Sequence, residues 1–214
     1  MHTDTATATP PARRARPRRL GATERREQLV ATAQRLFGER GYRATTMEDI
    51  AHAAGVTKPL LYQHFASKRA LYLELVQQVS GELLGALRSA HARATSRREL
   101  VENGYRAYFE TIVTHAEAFR LLFGRHAPDE PELLGAVRAV EREVLEVVAS
   151  RFPEELGADH RRLLAYALIG LAEGGARYWV DSSRKGATSP EEVEQLASRI
   201  SALAWSGLQS LDVS

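Results

Sequence analysis

The 214-residue sequence contains no cysteine, which excludes disulfide staples and the thiolate metal sites of zinc fingers. No apolar run approaches the ~20 residues that a membrane-spanning helix requires; the longest lies around Leu163 to Ala172. Nothing after Gly21 alternates with the two-residue period of a strand. There is no HExxH zinc motif, no paired-carboxylate site and no glycine-rich phosphate loop beside a strand. The histidines His52, His64, His91, His115, His126 and His160 are scattered along the chain. Together these absences argue against an enzyme, call for no cofactor and no metal, and leave an all-α fold.

Hydrophobic residues make up 44% and charged residues 26%, the balance of a chain able to bury a core without staples. The net charge of +2 is unevenly placed: residues 1–70 hold 13 Lys+Arg against 6 Asp+Glu, residues 71–214 hold 16 against 21. A basic front on an acidic remainder fits a polyanion partner for the first part, or chance asymmetry on solvated faces. Residues 1–20 are rich in Thr, Ala, Pro and Arg and cluster Arg13, Arg14, Arg16, Arg18 and Arg19. No apolar stretch follows the arginines, so neither a secretory nor a twin-arginine signal is expected and a soluble, cytoplasmic protein is. The segment reads as a disordered basic arm, either a solubilising tail or an extension that lies along DNA or enters a minor groove.

From Glu24 the pattern turns helical, with Leu29, Val30, Ala33, Leu36 and Phe37 on one stripe and Gly41 as its stop. Thr46 caps a second helix, with Asp49 completing an acidic capping box. Gly55 breaks it, and a third helix starts near Thr57 with Pro59 in its first turn, where a missing N–H is harmless. Ser67 caps a long helix through Leu71, Leu75, Val79, Leu83 and Leu87. Further helices are expected near 97–114, 116–125, 131–150, 160–181 and 190–210, with breaks at Ala127-Pro128, Phe152-Pro153 and around Gly186. Three short helices are thus followed by about six longer ones.

Residues 46–65, TMEDIAHAAGVTKPLLYQHF, have the form of a helix-turn-helix. Ala51 and Ala54 are small where two helices cross, Gly55 suits a positive φ, and Val56 and Leu61 pin the second helix to the first. That second helix shows Thr57, Lys58, Tyr62, Gln63 and His64 as polar groups. The marks Gly41-Tyr42, Thr45-Thr46, Ile50-Ala51, Ala54-Gly55-Val56, Leu61-Tyr62, His64-Phe65, Ser67-Lys68 and Leu71 resemble the DNA-binding region of the TetR family of bacterial regulators. Pro59 departs from the family, in which many members carry Gly there. The resemblance is specific over about 50 residues and rests elsewhere on length and helix order.

Physics and the resemblance then divide the labour. Thr46, at a helix start, is expected against a phosphate, with Tyr42, Thr45 and Lys68 as further backbone contacts. Thr57, Lys58 and Gln63 are expected to read bases, lysine toward guanine and glutamine toward adenine, with Tyr62 between base and phosphate. Pro59 stiffens the first turn; His64 is a contact or a packing residue.

The resemblance implies a ligand-binding and dimerisation domain in the rest of the chain, divided as arm 1–20, helix-turn-helix domain 21–67 and helical domain 68–214. It implies a homodimer on double-stranded, palindromic DNA, formed by the helices near 160–181 and 190–210 and switched by a small-molecule effector. Leu163, Leu164, Ala167, Leu168, Leu171 and Ala172 with Gly170, Gly174 and Gly175 make one apolar face; Leu196, Ile200, Leu203, Ala204, Trp205 and Leu208 make another. Tyr105, Tyr108, Phe109, Phe119, Leu122 and Phe123 are core or pocket residues. Glu173 and Arg177, near Tyr178, are an i,i+4 pair or a polar anchor in a pocket. The segments AFRLLF (118–123), EPEL (130–133) and ARYWVD (176–181) further resemble actinobacterial regulators of lipid synthesis that respond to long acyl-CoA thioesters, which implies a lipophilic effector whose head group meets Arg120 or Arg177. The competing reading is a helical ligand-binding or scaffold protein with a vestigial helix-turn-helix.

Overall fold

The computed structural model describes residues 21–123, 130–182 and 189–209, with side chains except at 120–123 and 180–182. The expected arm, the Ala127-Pro128 break, Gly186 and the side chains of Arg120, Leu122 and Phe123 therefore lie outside the described residues. The described residues form nine α-helices and no strand: α1 (Ala22–Arg40), α2 (Met47–Ala53), α3 (Lys58–His64), α4 (Lys68–Arg93), α5 (Arg97–Thr114), α6 (Ala116–Phe123), α7 (Pro131–Ala149), α8 (Ala158–Ser182) and α9 (Pro190–Gln209), with a 3₁₀ turn at Glu154–Leu156. The first of the three helices expected to be short runs 19 residues.

The starts follow the capping chemistry. Thr46 Oγ1 accepts from the Asp49 amide at 3.1 Å, while the Asp49 carboxylate accepts from the Thr46 amide at 2.8 Å, a closed capping box. Those bonds, with the Thr46 hydroxyl, hold the Asp49 carboxyl below its ordinary pKa. Thr57 and Ser67 cap α3 and α4 through the amides of Leu60 and Ala70. Gly55 sits at φ +65°, the left-handed conformation the α2–α3 turn demands.

Leu29, Val30, Ala33, Leu36 and Phe37 of α1 are all buried against Ile50, Leu61, Phe65 and the first turns of α4, where Leu71, Tyr72 and Leu75 are fully enclosed. Each such aliphatic or aromatic side chain contributes roughly 1.5–3 kcal/mol. Ala118 of α6 and Leu133 of α7 join the same core. Gly38 makes this possible, because a Cβ there would lie 2.9 Å from Glu117 Cβ. The far half of α4 (Leu84, Leu87, Ala90) packs instead with Ala107 and Val144. A further core joins Tyr105, Tyr108, Phe109 and Phe119 to Ala172, Ala176 and Trp179 of α8 and Val193 and Ala197 of α9. One 26-residue helix, α4, therefore belongs to the first two of these three cores.

Candidate nucleic-acid interface

α3 is seven residues long, too short to hold itself. Its inward side chain, Leu61, is fully buried, and Phe65 at its C-cap is 2% exposed. Arg26 of α1 clamps that end: it makes a two-pronged bond to the Glu74 carboxylate at 3.1 and 2.8 Å, donates to the His64 carbonyl at 2.8 Å, and lies 4.2 Å from the Phe65 ring centre. Gln28 of α1 donates to the Ala54 carbonyl and fixes the turn before α3. These anchors leave Thr57, Lys58, Pro59, Tyr62 and Gln63 on one exposed side of a rigidly seated helix, with Tyr62 44% exposed. His64 is half-buried. Thr46, at the start of α2, is also exposed.

Three of the residues expected at phosphates take structural positions. Thr45 is completely buried, and its hydroxyl donates to the Gly41 carbonyl at 2.9 Å and the Leu36 carbonyl at 3.3 Å. Tyr42 is 3% exposed and its ring packs between Phe37 and Tyr72, with centroids 5.4 and 5.2 Å away. The Lys68 ammonium donates to the carbonyls of Tyr42 at 2.8 Å and Thr45 at 2.9 Å and sits over the Tyr42 ring, and burial lowers its pKa. Burial leaves the side chains of Tyr42 and Thr45 little surface to offer a phosphate, and Lys68 is the clasp of the turn that delivers Thr46.

Two neighbours escaped the sequence reading. Arg43 is exposed in the same turn, two residues before the Thr45–Thr46 pair. Glu48 of α2 accepts from Lys58 of α3, which raises the lysine's pKa and holds its head beside α2. A basic residue in a helix-leading turn was the available signal for Arg43; the Lys58–Glu48 pair, ten residues apart, had none.

The residues expected at an effector separate. The Tyr105 hydroxyl donates to the Leu168 carbonyl at 2.9 Å, tying α5 to α8, and Tyr105 and Tyr108 border a small apolar pocket. Phe109 is core, in contact with α8 where Gly175 leaves room. Phe119 borders a separate small void beside α4. Glu173 and Arg177 pair at 3.7 Å, and burial raises the glutamate's pKa. Of the two readings of Glu173 and Arg177, the i,i+4 pair is the one present; Arg177 is exposed and Tyr178 70% exposed, because the inward stripe of α8 is Ala165, Ala172, Ala176 and Trp179. Gly175 serves packing within the chain, while a Cβ at Gly170 or Gly174 would meet nothing within 4 Å among the described residues. Those two glycines lie on α8 with the exposed side chains Leu163, Tyr166 and Tyr178.

Residues 29–75 match the family described as bacterial regulatory proteins, tetR family. The HTH-type transcriptional activator FasR of Mycolicibacterium smegmatis is 33% identical over 195 residues, which is 90% of this chain and 87% of that protein. The HTH-type transcriptional repressor KstR2 of Rhodococcus jostii is 32% identical over 167 residues, 75% of this chain and 72% of its own. A TetR-like regulator from Rhodococcus sp. RHA1 superposes with a TM-score of 0.72 and 26% identity over 90% of this chain and all of that one. FadR from Bacillus subtilis, solved in complex with stearoyl-CoA, superposes with a TM-score of 0.71 at 16% identity, over 85% of this chain and 98% of that one. The relatives are named as transcription regulators, and among the described residues no helix is long and apolar enough to cross a membrane. With its helix-turn-helix inside the matched segment and a larger helical domain behind it, the chain belongs to the TetR family of transcription regulators.

Proposed function

We propose that this chain is a cytoplasmic, ligand-responsive regulator that binds a palindromic operator as a homodimer. The observation that carries the reading is the exposed row Thr57, Lys58, Pro59, Tyr62 and Gln63 on a helix clamped from behind by Arg26 and Leu61. Thr57, Lys58 and Gln63 face base edges in the major groove, Tyr62 bridges base and phosphate, and Thr46 with Arg43 meets the backbone. For Lys58 to reach a guanine its bond to Glu48 opens, so part of the binding energy is spent there. The division into domains at residues 67 and 68 follows the Ser67 cap of α4.

The homodimer forms through α8 and α9, whose exposed Leu163, Tyr166 and Leu203 would otherwise leave apolar surface in water. It sets the two α3 helices about 34–36 Å apart, one turn of DNA. The effector is lipophilic; FadR's stearoyl-CoA shows what this fold accommodates in that protein. It acts by preferring one dimer geometry over the other, since a ligand with equal affinity for both shifts nothing. Repression needs only occupancy of the operator and is the reading adopted. Activation is the second reading, favoured by the name of the relative that covers 90% of the chain.

Fluorescence anisotropy on duplexes selected from a random pool tests the DNA reading. Tyr62→Ala and Gln63→Ala are expected to lower affinity for the selected duplex at least tenfold at fixed salt while leaving the melting temperature unchanged. Equal affinity of the wild-type chain for selected and scrambled duplexes would overturn it. A reporter behind the selected operator separates repression from activation.

A further inference from the structure

A carboxylate on a surface that meets phosphates is repelled unless a donor there offsets its charge. Residues 1–70 hold six acidic residues. Three of them support their own helices: Glu24 accepts from the Gly21 amide, Glu39 pairs with Arg35 one turn away, and Asp49 closes the Thr46 cap. Glu48 is placed otherwise. It stands exposed in the first turn of α2, two residues after Thr46, and its carboxylate crosses to α3 to accept from Lys58.

The pair does little for the fold. The Glu48 and Lys58 side chains are 70% and 51% exposed, and such surface ion pairs shift an equilibrium by about fivefold at most. Gly55, the bond from Gln28 and the buried Ile50 and Leu61 already fix how α2 meets α3. What the pair supplies is an acceptor beside a donor, at the edge of the exposed row of α3. The major-groove edge of a G·C pair is the complement of that arrangement. Guanine N7 and O6 accept, the cytosine N4 amino group donates, and O6 and N4 lie about 2.9 Å apart because they bond each other. An A·T pair puts thymine O4, another acceptor, where G·C has the amino group. A T·A pair keeps one acceptor and one donor but carries a methyl group in place of guanine N7.

We infer that Glu48 is a specificity-determining residue, and that it reads one G·C pair of each half-site together with Lys58. The lysine swings to guanine N7 and O6, and the released carboxylate accepts from the N4 amino group of the paired cytosine. This rests on the DNA reading above and deepens it, because Lys58 alone was given a base there. The two heads start in contact and their targets are adjacent, so they need to separate little. The cost of opening the pair is offset in full at G·C. Elsewhere the carboxylate is left facing an acceptor or a phosphate, so Glu48 sharpens discrimination while weakening affinity for DNA at large.

The test exchanges the base pairs of the selected duplex one at a time, then modifies each G·C pair that the full chain requires. N4-methylcytosine blocks the amino hydrogen that points into the major groove and leaves guanine N7 and O6 intact; 7-deazaguanine removes N7 alone. Either change at the pair read by Glu48 and Lys58 is expected to weaken wild-type binding about fivefold or more. Glu48→Ala is expected to be indifferent to the methyl group yet sensitive to 7-deazaguanine, and Lys58→Met the reverse. Each protein is compared with itself on two duplexes, so a loss of stability common to both cancels. Glu48→Ala is also expected to bind scrambled duplex more tightly than the wild type, lowering the ratio of selected to scrambled affinity. A selected duplex with no required G·C pair, or wild-type binding unmoved by N4-methylcytosine at every such pair, overturns the role of Glu48. So does a methyl group that weakens Glu48→Ala as much as the wild type. Those outcomes leave the DNA reading standing, whereas a wild-type chain that binds selected and scrambled duplexes alike removes both.

Discussion

Thr45 donates its one hydroxyl proton in a turn where the carbonyls of Gly41 and Leu36 both face it, so the side chain holds the chain's path between α1 and α2. Thr45→Val keeps the shape and removes the donor. The expected loss is about 1–2 kcal/mol of stability, read as a lower urea midpoint with an unchanged slope. Lys68→Met removes a charged donor from the Tyr42 and Thr45 carbonyls and is expected to cost about 2–3 kcal/mol in the same assay. Neither substitution should alter the ratio of affinities for selected and scrambled DNA by more than the shared loss. Gln63→Ala should do the opposite: stability within about 0.5 kcal/mol of the parent, but roughly 1–3 kcal/mol less discrimination.

Helices that touch the same neighbours through glycine give an element-scale contrast. At Gly175 an added Cβ would lie 2.9 Å from Phe109 Cζ and 3.3 Å from Ile200 Cγ1, so α5, α8 and α9 must part. Overpacking of roughly 1–3 kcal/mol outweighs the gain of up to about 1 kcal/mol in helix propensity, and Gly175→Ala is expected to lower the melting temperature. One residue earlier, a Cβ on Gly174 would meet nothing within 4 Å among the described residues. Gly174→Ala is expected to raise the stability of dilute, monomeric protein by up to about 1 kcal/mol and to weaken self-association, as scanning calorimetry across concentrations would show.

For the whole molecule, self-association and acid sensitivity are the measurable properties. Leu163→Glu with Leu203→Glu places charge on the side chains of α8 and α9 that are 65% and 59% exposed, so the fold is unaffected. Sedimentation velocity is expected to show a monomer, with operator affinity lost alongside; a dimer that persists would remove α8 and α9 as the interface. His91 links acid to folding. Its folded pKa is lowered from 6.5, by burial first and Arg151 second, so the unfolded chain takes the proton more readily. The stability from a neutral His91 is present above about pH 6.5 and declines as the pH falls below it. Glu173, raised from 4.5 by burial, works in the opposite sense above that value, so the control is His91→Gln in the same buffers. The urea midpoint of the parent is expected to fall between pH 7.5 and 5.5 by more than that of the variant.

The element order and the helix-turn-helix were legible in the chain itself because they rest on local physics. The Thr46, Thr57 and Ser67 caps, the positive-φ Gly55 and the apolar stripe of α1 each act within a few residues, and every one stands where the sequence placed it. What tertiary packing alone decided is which polar side chains face outward. Tyr42, Thr45 and Lys68 turn inward because α1 and α4 close over their turn, and Tyr178 turns outward because α8 spends its inner stripe on alanines and Trp179. The wall that His91, Leu100, Val148 and Leu168 add to the pocket at Tyr105 and Tyr108 gathers residues up to 77 positions apart from four helices, an arrangement that exists only once those helices pack. Thr46 to Phe65 was therefore found from sequence as a motif, while its clamp at Arg26 and Glu74, 48 residues apart, required the fold.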